Sequence, residues 1–294
     1  MTALTTSTAL NGTVATYRWQ WQEQSLSITY ETLGTGQPVL LLPAFSTVST
    51  RGEMATLAQQ LASQYQVIVL DWPGFGDSDR PRLAYQPALY QQFLQDFVQA
   101  QLAAPVAVVA AGHAAGYVLA LPQAWSKIML VAPTWRGPLA VMGVSDQVRQ
   151  QVRELVRSPL LGQVLYGLNT RPSFLKWMYG RHVFTDQTKL TPEFIEQRYR
   201  GTQKPGARYA PAAFVTGGLD PAKTRPEFLS RLQAVSVPLM VIVAQQAPPA
   251  SKAEMEAMAE LPNLRVARLP GTLGMAEEYG DEVAQAILPF LRAA

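Results

Sequence analysis

The stretch Val106-Ala107-Val108-Val109-Ala110-Ala111-Gly112-His113-Ala114-Ala115-Gly116-Tyr117-Val118-Leu119 decides the fold. Its first six residues are small or β-branched and uniformly apolar, which predicts a strand buried on both faces. Gly112 and Gly116 frame a tight turn, and Tyr117 to Leu121 continues as an apolar helix. A strand, a Gly-x-x-x-Gly turn and a helix hold the middle residue on a sharp corner, where a side chain is presented to a reactant. That residue is Ala114. Its methyl group can neither attack a carbonyl nor carry a proton.

On the N-terminal side the pattern is strand-rich. Tyr17 to Gln22 and Leu26 to Tyr30 alternate aromatic or apolar with polar residues, as antiparallel strands at a sheet edge do. Pro38 to Leu42 and Val67 to Leu70 are continuous apolar runs, each read as a buried strand, with a helix at Met54 to Tyr65 between them. The second run leads into Asp71-Trp72-Pro73-Gly74-Phe75-Gly76-Asp77-Ser78, and Tyr90 to Leu102 is an amphipathic helix with Phe93, Leu94, Phe97 and Val98 on one face.

Beyond the central stretch Ile128 to Val131 is another strand, and then the rhythm breaks. From Arg136 to Thr216 the residues read as helical and basic, with no convincing strand. The alternation resumes with strands at Pro238 to Val243 and Leu264 to Leu269 and helices at Lys252 to Glu260 and Asp281 to Leu291. Strands alternating with helices predict a mostly parallel, doubly wound α/β sheet. The break reads as an inserted helical cap over the carboxyl edge of the sheet, where open α/β folds place their sites. The expected domains are a core at residues 1–135 and 217–294 and a cap at 136–216.

Composition narrows the function classes. The 294 residues are 48% hydrophobic and 15% charged, which describes a chain with a sizeable core. The net charge of +3 gives no reason to expect nucleic acid, but residues 137–215 carry 11 Lys/Arg against 5 Asp/Glu. There is no cysteine, which excludes disulfides and thiolate chemistry, and with two histidines no metal site is expected. No cofactor is expected either. Met1 to Thr16 lacks the features of a signal peptide, and no apolar run is long enough to span a membrane, so a cytoplasmic location is the expectation.

Along almost its whole length the chain resembles the α/β-hydrolase superfamily. It is most similar to the capped group of haloalkane dehalogenases, epoxide hydrolases and chlorophyll or pheophytin phytyl-ester hydrolases. The residues that carry the resemblance are Trp19-Gln20-Trp21 with Ile28-Thr29-Tyr30, Gly36 to Leu42, Asp71 to Ser78, Gly112 to Gly116, and Leu269-Pro270-Gly271 to Leu291. Asp71 to Ser78 is the most specific of these.

The resemblance implies a nucleophile at Ala114, an acid after the strand ending at Val243, and a histidine shortly after Pro270-Gly271. The acid position falls at Ala247 in Ala244-Gln245-Gln246-Ala247, and the base position near Leu273. The alternative acid position after Val131 reads Ala132-Pro133-Thr134, and no histidine follows His182. Pro43-Ala44 stands where the family usually has His-Gly. Pro122 cuts the helix after Ala114 about a turn short of the family's usual length. The backbone N–H groups of Phe45 and Ala115 fall at the positions of the oxyanion hole.

Each remaining candidate has a plainer reading. His113 reads as packing beside the turn, and His182 as a surface residue near Tyr179, Arg181 and Phe184. Asp71 and Asp77 read as acceptors for backbone N–H groups within a Gly-rich turn. Phe174, Trp177, Tyr179 and Phe184 fit either a pocket lining or the cap's own core. The cap's arginines read as a solvated face.

The leading expectation is a catalytically degenerate hydrolase homologue that binds an apolar small molecule under the cap, or a protein partner. The pocket would be formed by Phe45, His113, Ala114, Leu273, Met275 and Trp177, or else be closed by side chains. An anionic surface is a further candidate partner for the basic cap. The alternative is a hydrolase-like or lyase-like enzyme using Asp71, His113 or His182 as acid or base in the same cleft.

Overall fold

The computed structural model describes residues 9–102, 105–262 and 264–293. The first part of the Met1–Thr16 segment therefore lies outside the described residues. Eight strands form one sheet in the order β1-β2-β4-β3-β5-β6-β7-β8. They are β1 (Thr13–Trp21), β2 (Gln24–Leu33), β3 (Pro38–Leu42), β4 (Gln66–Leu70), β5 (Val106–Ala111), β6 (Trp125–Val131), β7 (Leu239–Ala244) and β8 (Arg265–Leu269). β1 pairs antiparallel with β2, and β2 antiparallel with β4. The other pairings are parallel.

The patterning explains this order. β5 and β7 are apolar and buried at every position, as central parallel strands covered by helices on both faces must be. β1 and β8 alternate in exposure and sit at the two edges. The helices of the core are α1 (Ala55–Leu61), α2 (Pro87–Gln101) and α3 (Ala114–Leu119). Between β6 and β7 the described chain has no strand; it holds α4 (Pro138–Val141), α5 (Asp146–Arg157), α6 (Leu161–Asn169), α7 (Pro172–Met178), α8 (Pro192–Thr202), α9 (Tyr209–Val215) and α10 (Arg225–Gln233), with a π-helical turn at Tyr179–Val183 and a 3-10 turn at Gln187–Lys189. α11 (Pro249–Ala259), α12 (Met275–Glu278) and α13 (Gly280–Arg292) complete the chain. α1, α12 and α13 pack on one another, and α3 packs against α2 and α10.

The helical insertion has a small apolar cluster of its own. Leu175, Tyr179, Phe184, Leu190 and Ile195 are buried there, joined by Val48 from the loop after β3. Tyr179 and Phe184 meet edge to face at 5.5 Å. Of the four aromatics that fitted either a pocket or a packed interior, these two belong to the interior. α10, which the sequence reading passed over, carries only Phe228 and Leu232 into the core.

Candidate active site: the corner after β5

β5 ends in a corner that only glycine adopts freely. Gly112 has φ 52°, and a Cβ there would stand 2.9 Å from Ala44 Cβ. Its N–H donates to Val131 O at 2.9 Å and its carbonyl accepts from Thr134 N–H at 3.1 Å, which moors the turn to the end of β6. Ala114 opens α3 and is fully buried. The N–H of Ala115 donates to Gly112 O at 3.3 Å, so it closes the turn rather than pointing free into a hole. α3 runs for six residues before Pro122 opens a 3-10 turn.

Two more loops follow the carboxyl ends of β7 and β8. They are stitched together: Gln245 N–H donates to Leu269 O, Gln246 N–H to Gly271 O, and Gly271 N–H to Gln246 Oε1, each at 3.0 Å. Gln246 thus joins the two loops through its amide beside Ala247. No sequence signal beyond a polar residue in the loop marked it. Ala247 is buried, Met275 is fully buried, and Leu273 packs against the main core from a partly exposed position.

The helical insertion is fastened onto the second of these loops. Thr272 Oγ1 donates to Val183 O, and Gly274 N–H donates to the same oxygen at 3.1 Å. Glu278, buried in α12, accepts from Thr185 N–H at 2.8 Å, Thr185 Oγ1 at 2.7 Å and Asp186 N–H at 2.7 Å.

The Alpha/beta hydrolase family profile matches residues 39–286, most of the sheet and all of the corner. The chain belongs to that family. No curated protein matches the sequence significantly. Among solved structures, an esterase from Thermogutta terrifontis is 20% identical with TM-score 0.71, covering 95% of this chain and 98% of its own. A bromoperoxidase from Bacillus anthracis is 20% identical with TM-score 0.72, covering 96% and 100%. The enol-lactonase from Burkholderia xenovorans is 16% identical with TM-score 0.66, covering 91% and 97%. At these identities the likeness is one of fold.

In this α/β-hydrolase the space beside the corner is packed with rings. Phe45 is buried and stacks on Trp72 at 4.9 Å between centroids. It meets Tyr90 edge to face at 4.9 Å, Phe75 at 5.4 Å and Tyr117 at 5.5 Å. Phe214, from α9 of the insertion, closes the cluster at 6.4 Å from Phe45 and 5.3 Å from His113. Of the residues expected either to line a pocket or to close it, Phe45, Ala114 and Met275 are buried and Phe45 packs among rings. A groove of about 570 Å³ lies along α2 and the end of α3, lined by Gln91, Gln95, Tyr117, Leu121 and Arg231 among others.

His113 is buried inside this packing. Its Nε2 lies 3.1 Å from Leu219 O and 3.4 Å from Asp220 Oδ1, while Nδ1 has no partner. Tyr117 OH donates to the same Leu219 O at 2.7 Å. Asp220 Oδ1 also accepts Gly137 N–H at 2.7 Å. His113 therefore braces the place where the insertion leaves and rejoins the sheet.

Asp71 and Asp77 belong to a buried charge cluster instead of the corner. Asp71 accepts Arg51 N–H at 2.6 Å, Arg51 Nη1 at 2.5 Å and Asp77 N–H at 2.9 Å. Its carboxyl occupies the volume that a side chain at Gly76 would need. Arg51 also reaches Glu31 at 3.0 Å and Asp77 at 2.7 Å. Burial pushes Asp71 upward against the pull of Arg51. Burial also opposes the ionised form of Asp77, but hydrogen bonds from Lys204 and Arg51 outweigh it and hold the pKa below the usual range.

The remaining candidates stand apart from the corner. Trp177, expected to line a pocket, is 56% exposed on α7, tilted against Phe174 and edge-on to His182. A short helix with aromatics on more than one side cannot bury them all, and here the buried side takes Leu175. His182 is half-buried, its pKa pulled down by burial and by Arg181. Among the described residues no group of acidic or histidine side chains is placed to hold a metal.

Proposed function

We propose that this α/β-hydrolase acts by binding and not by turnover. The observation that carries the reading is the fully buried methyl of Ala114 at the head of α3. In the family's geometry this is the place of the attacking group, and a methyl has no lone pair to offer. Ala247 and Leu273 support the same reading, because a site doing polar chemistry keeps polar groups at its centre. The route through His113, Asp71 or His182 loses support from the geometry. Asp71 is committed to Arg51, and His113 to the connection at Leu219. The burial of Ala114 and the rings packed around Phe45 favour recognition by the outer surface over an apolar molecule at the centre.

A serine-directed fluorophosphonate and nitrophenyl esters of short and medium chain length test this. No residue is expected to be labelled, and ester cleavage is expected to equal that of denatured protein. Stoichiometric labelling, or cleavage above that background, overturns the reading.

A further inference from the structure

Among the described residues the exposed large hydrophobic side chains all lie between Val141 and Trp177, on α4 to α7 and their connections. Leu160 is 83% exposed, Leu161 and Val164 62% each. Monomeric proteins rarely gather apolar surface in one place without a partner for it.

α5 shows why the patch is not a packing accident. Arg149, Val152, Arg153, Val156 and Arg157 share one side at helical spacing, and Val148 and Leu155 lie on the other. Arg149 and Arg153 are half-buried, their guanidinium groups lying against Gly217 and Gly218, and Arg149 Nη1 donates to Thr216 O at 3.1 Å. Val148 and Leu155 face solvent, and no residue of α5 is fully buried. The side that holds the helix to the protein carries three arginines, and Val148 and Leu155 are left outward among Gln147, Gln150, Gln151 and Glu154.

Charge says what this face meets. Of the six Lys/Arg in residues 141–181, the three of α5 are turned inward, and Arg171, Lys176 and Arg181 are the exposed cations on and after α7, where residues 171–181 hold no acid. A second copy of the chain would set the same positive fringe against itself. A bilayer with anionic headgroups supplies both halves of the match, acyl boundary for the leucines and Trp177, phosphates for the cations. We propose that the outward face of α5 to α7 docks this protein on the surface of an anionic phospholipid membrane. The docking is peripheral, since no helix among the described residues is long and apolar enough to cross a membrane. It does not depend on the absence of turnover, because an active enzyme could carry the same face.

Co-sedimentation of the full chain with vesicles decides it. Binding is expected to vesicles containing about a third phosphatidylglycerol and to be at least ten times weaker to pure phosphatidylcholine, and to fall as salt shortens the ~8 Å reach of exposed charges. Leu160→Ser with Leu161→Ser, and separately Arg171→Glu with Lys176→Glu, are each expected to reduce binding on the order of tenfold or more. Both pairs lie at exposed positions, and an unchanged melting temperature confirms that the variants fold. Equal pelleting with and without phosphatidylglycerol overturns the proposal. So does undiminished binding by the leucine variant, or a dimer in solution that this variant dissociates.

Discussion

Glu53 stands at the seam between the sheet and the insertion, where its Oε1 accepts Thr50 N–H at 3.3 Å. Burial pushes its carboxyl up to about 7, against the opposing pull of Arg198 and of the Thr50 N–H. The folded chain then holds this proton more tightly than the unfolded chain does. The linked stability is greatest in acid and is lost as pH climbs from 4.5, the group's ordinary value, to about 7. Glu53→Gln keeps the acceptor for Thr50 and removes the titration. The melting temperature of the variant relative to the parent is expected to rise between pH 5 and 7.5, and a constant difference would contradict the assignment. Single residues of this kind were the least legible part of the chain. Asp71 could be read as a backbone acceptor from the glycines around it, but the Asp77 carboxylate accepts from the side chains of Arg51 and Lys204 instead. Arg51 could not be read, because its partners Glu31 and Asp71 each lie 20 residues away and meet it only after β2 and β4 have paired. Trp177 failed for a related reason, since an aromatic on a short helix looks alike whether it faces in or out.

The elements were easier, because each carries its own periodicity. β3, β5 and β7 fall where continuous apolar runs end, and α2 where Phe93 and Phe97 repeat. What periodicity does not encode is which side of a helix the protein keeps. The arginines of α5 are expected in solvent, whereas Arg149 and Arg153 are held inside beside Val152 and Val156. α3 matters most for function. Ala114→Ser, Ala247→Asp and Leu273→His together would restore the family's side chains, and the triple variant is expected to fold with little or no ester hydrolysis. Catalytic groups need placement within ~0.5 Å, held by surrounding contacts. Here Ala115 N–H is engaged by Gly112 O, Gln246 already joins the two loops, and the rings of Phe45 and Phe214 fill the space above. A misplacement of ~1 Å can cost about a hundredfold in rate. Turnover of nitrophenyl esters at the rate of an ordinary esterase would show that the supports had survived and only the side chains were lost.

On the scale of the molecule, the insertion packs into the main core through Ala210, Ala213 and Phe214, keeps a small cluster of its own, and is tied down further by polar contacts. Glu278 is the strongest single tie, with three donors from Thr185 and Asp186 on one carboxylate. Glu278→Ala leaves the half-buried N–H groups of Thr185 and Asp186 without their acceptor, at about 1 kcal/mol. Amide exchange is expected to quicken in residues 183–190 while the amides of β5 and β7 keep their protection. Uniform loss of protection would mean that the insertion and the sheet open as one unit. Sheet and insertion also meet at the connections. Gly137, where the chain leaves the sheet, donates to Asp220 at 2.7 Å, and a side chain at Gly137 would strike Phe214 O and Gly217 N. Departure and return are neighbours, so the strands fix only the two ends of the insertion, and its inward residues Phe214, Val183 and Thr185 answer to the core while its outward ones do not. A new outer surface can be tried there, again and again, without any strand of the sheet changing its partner.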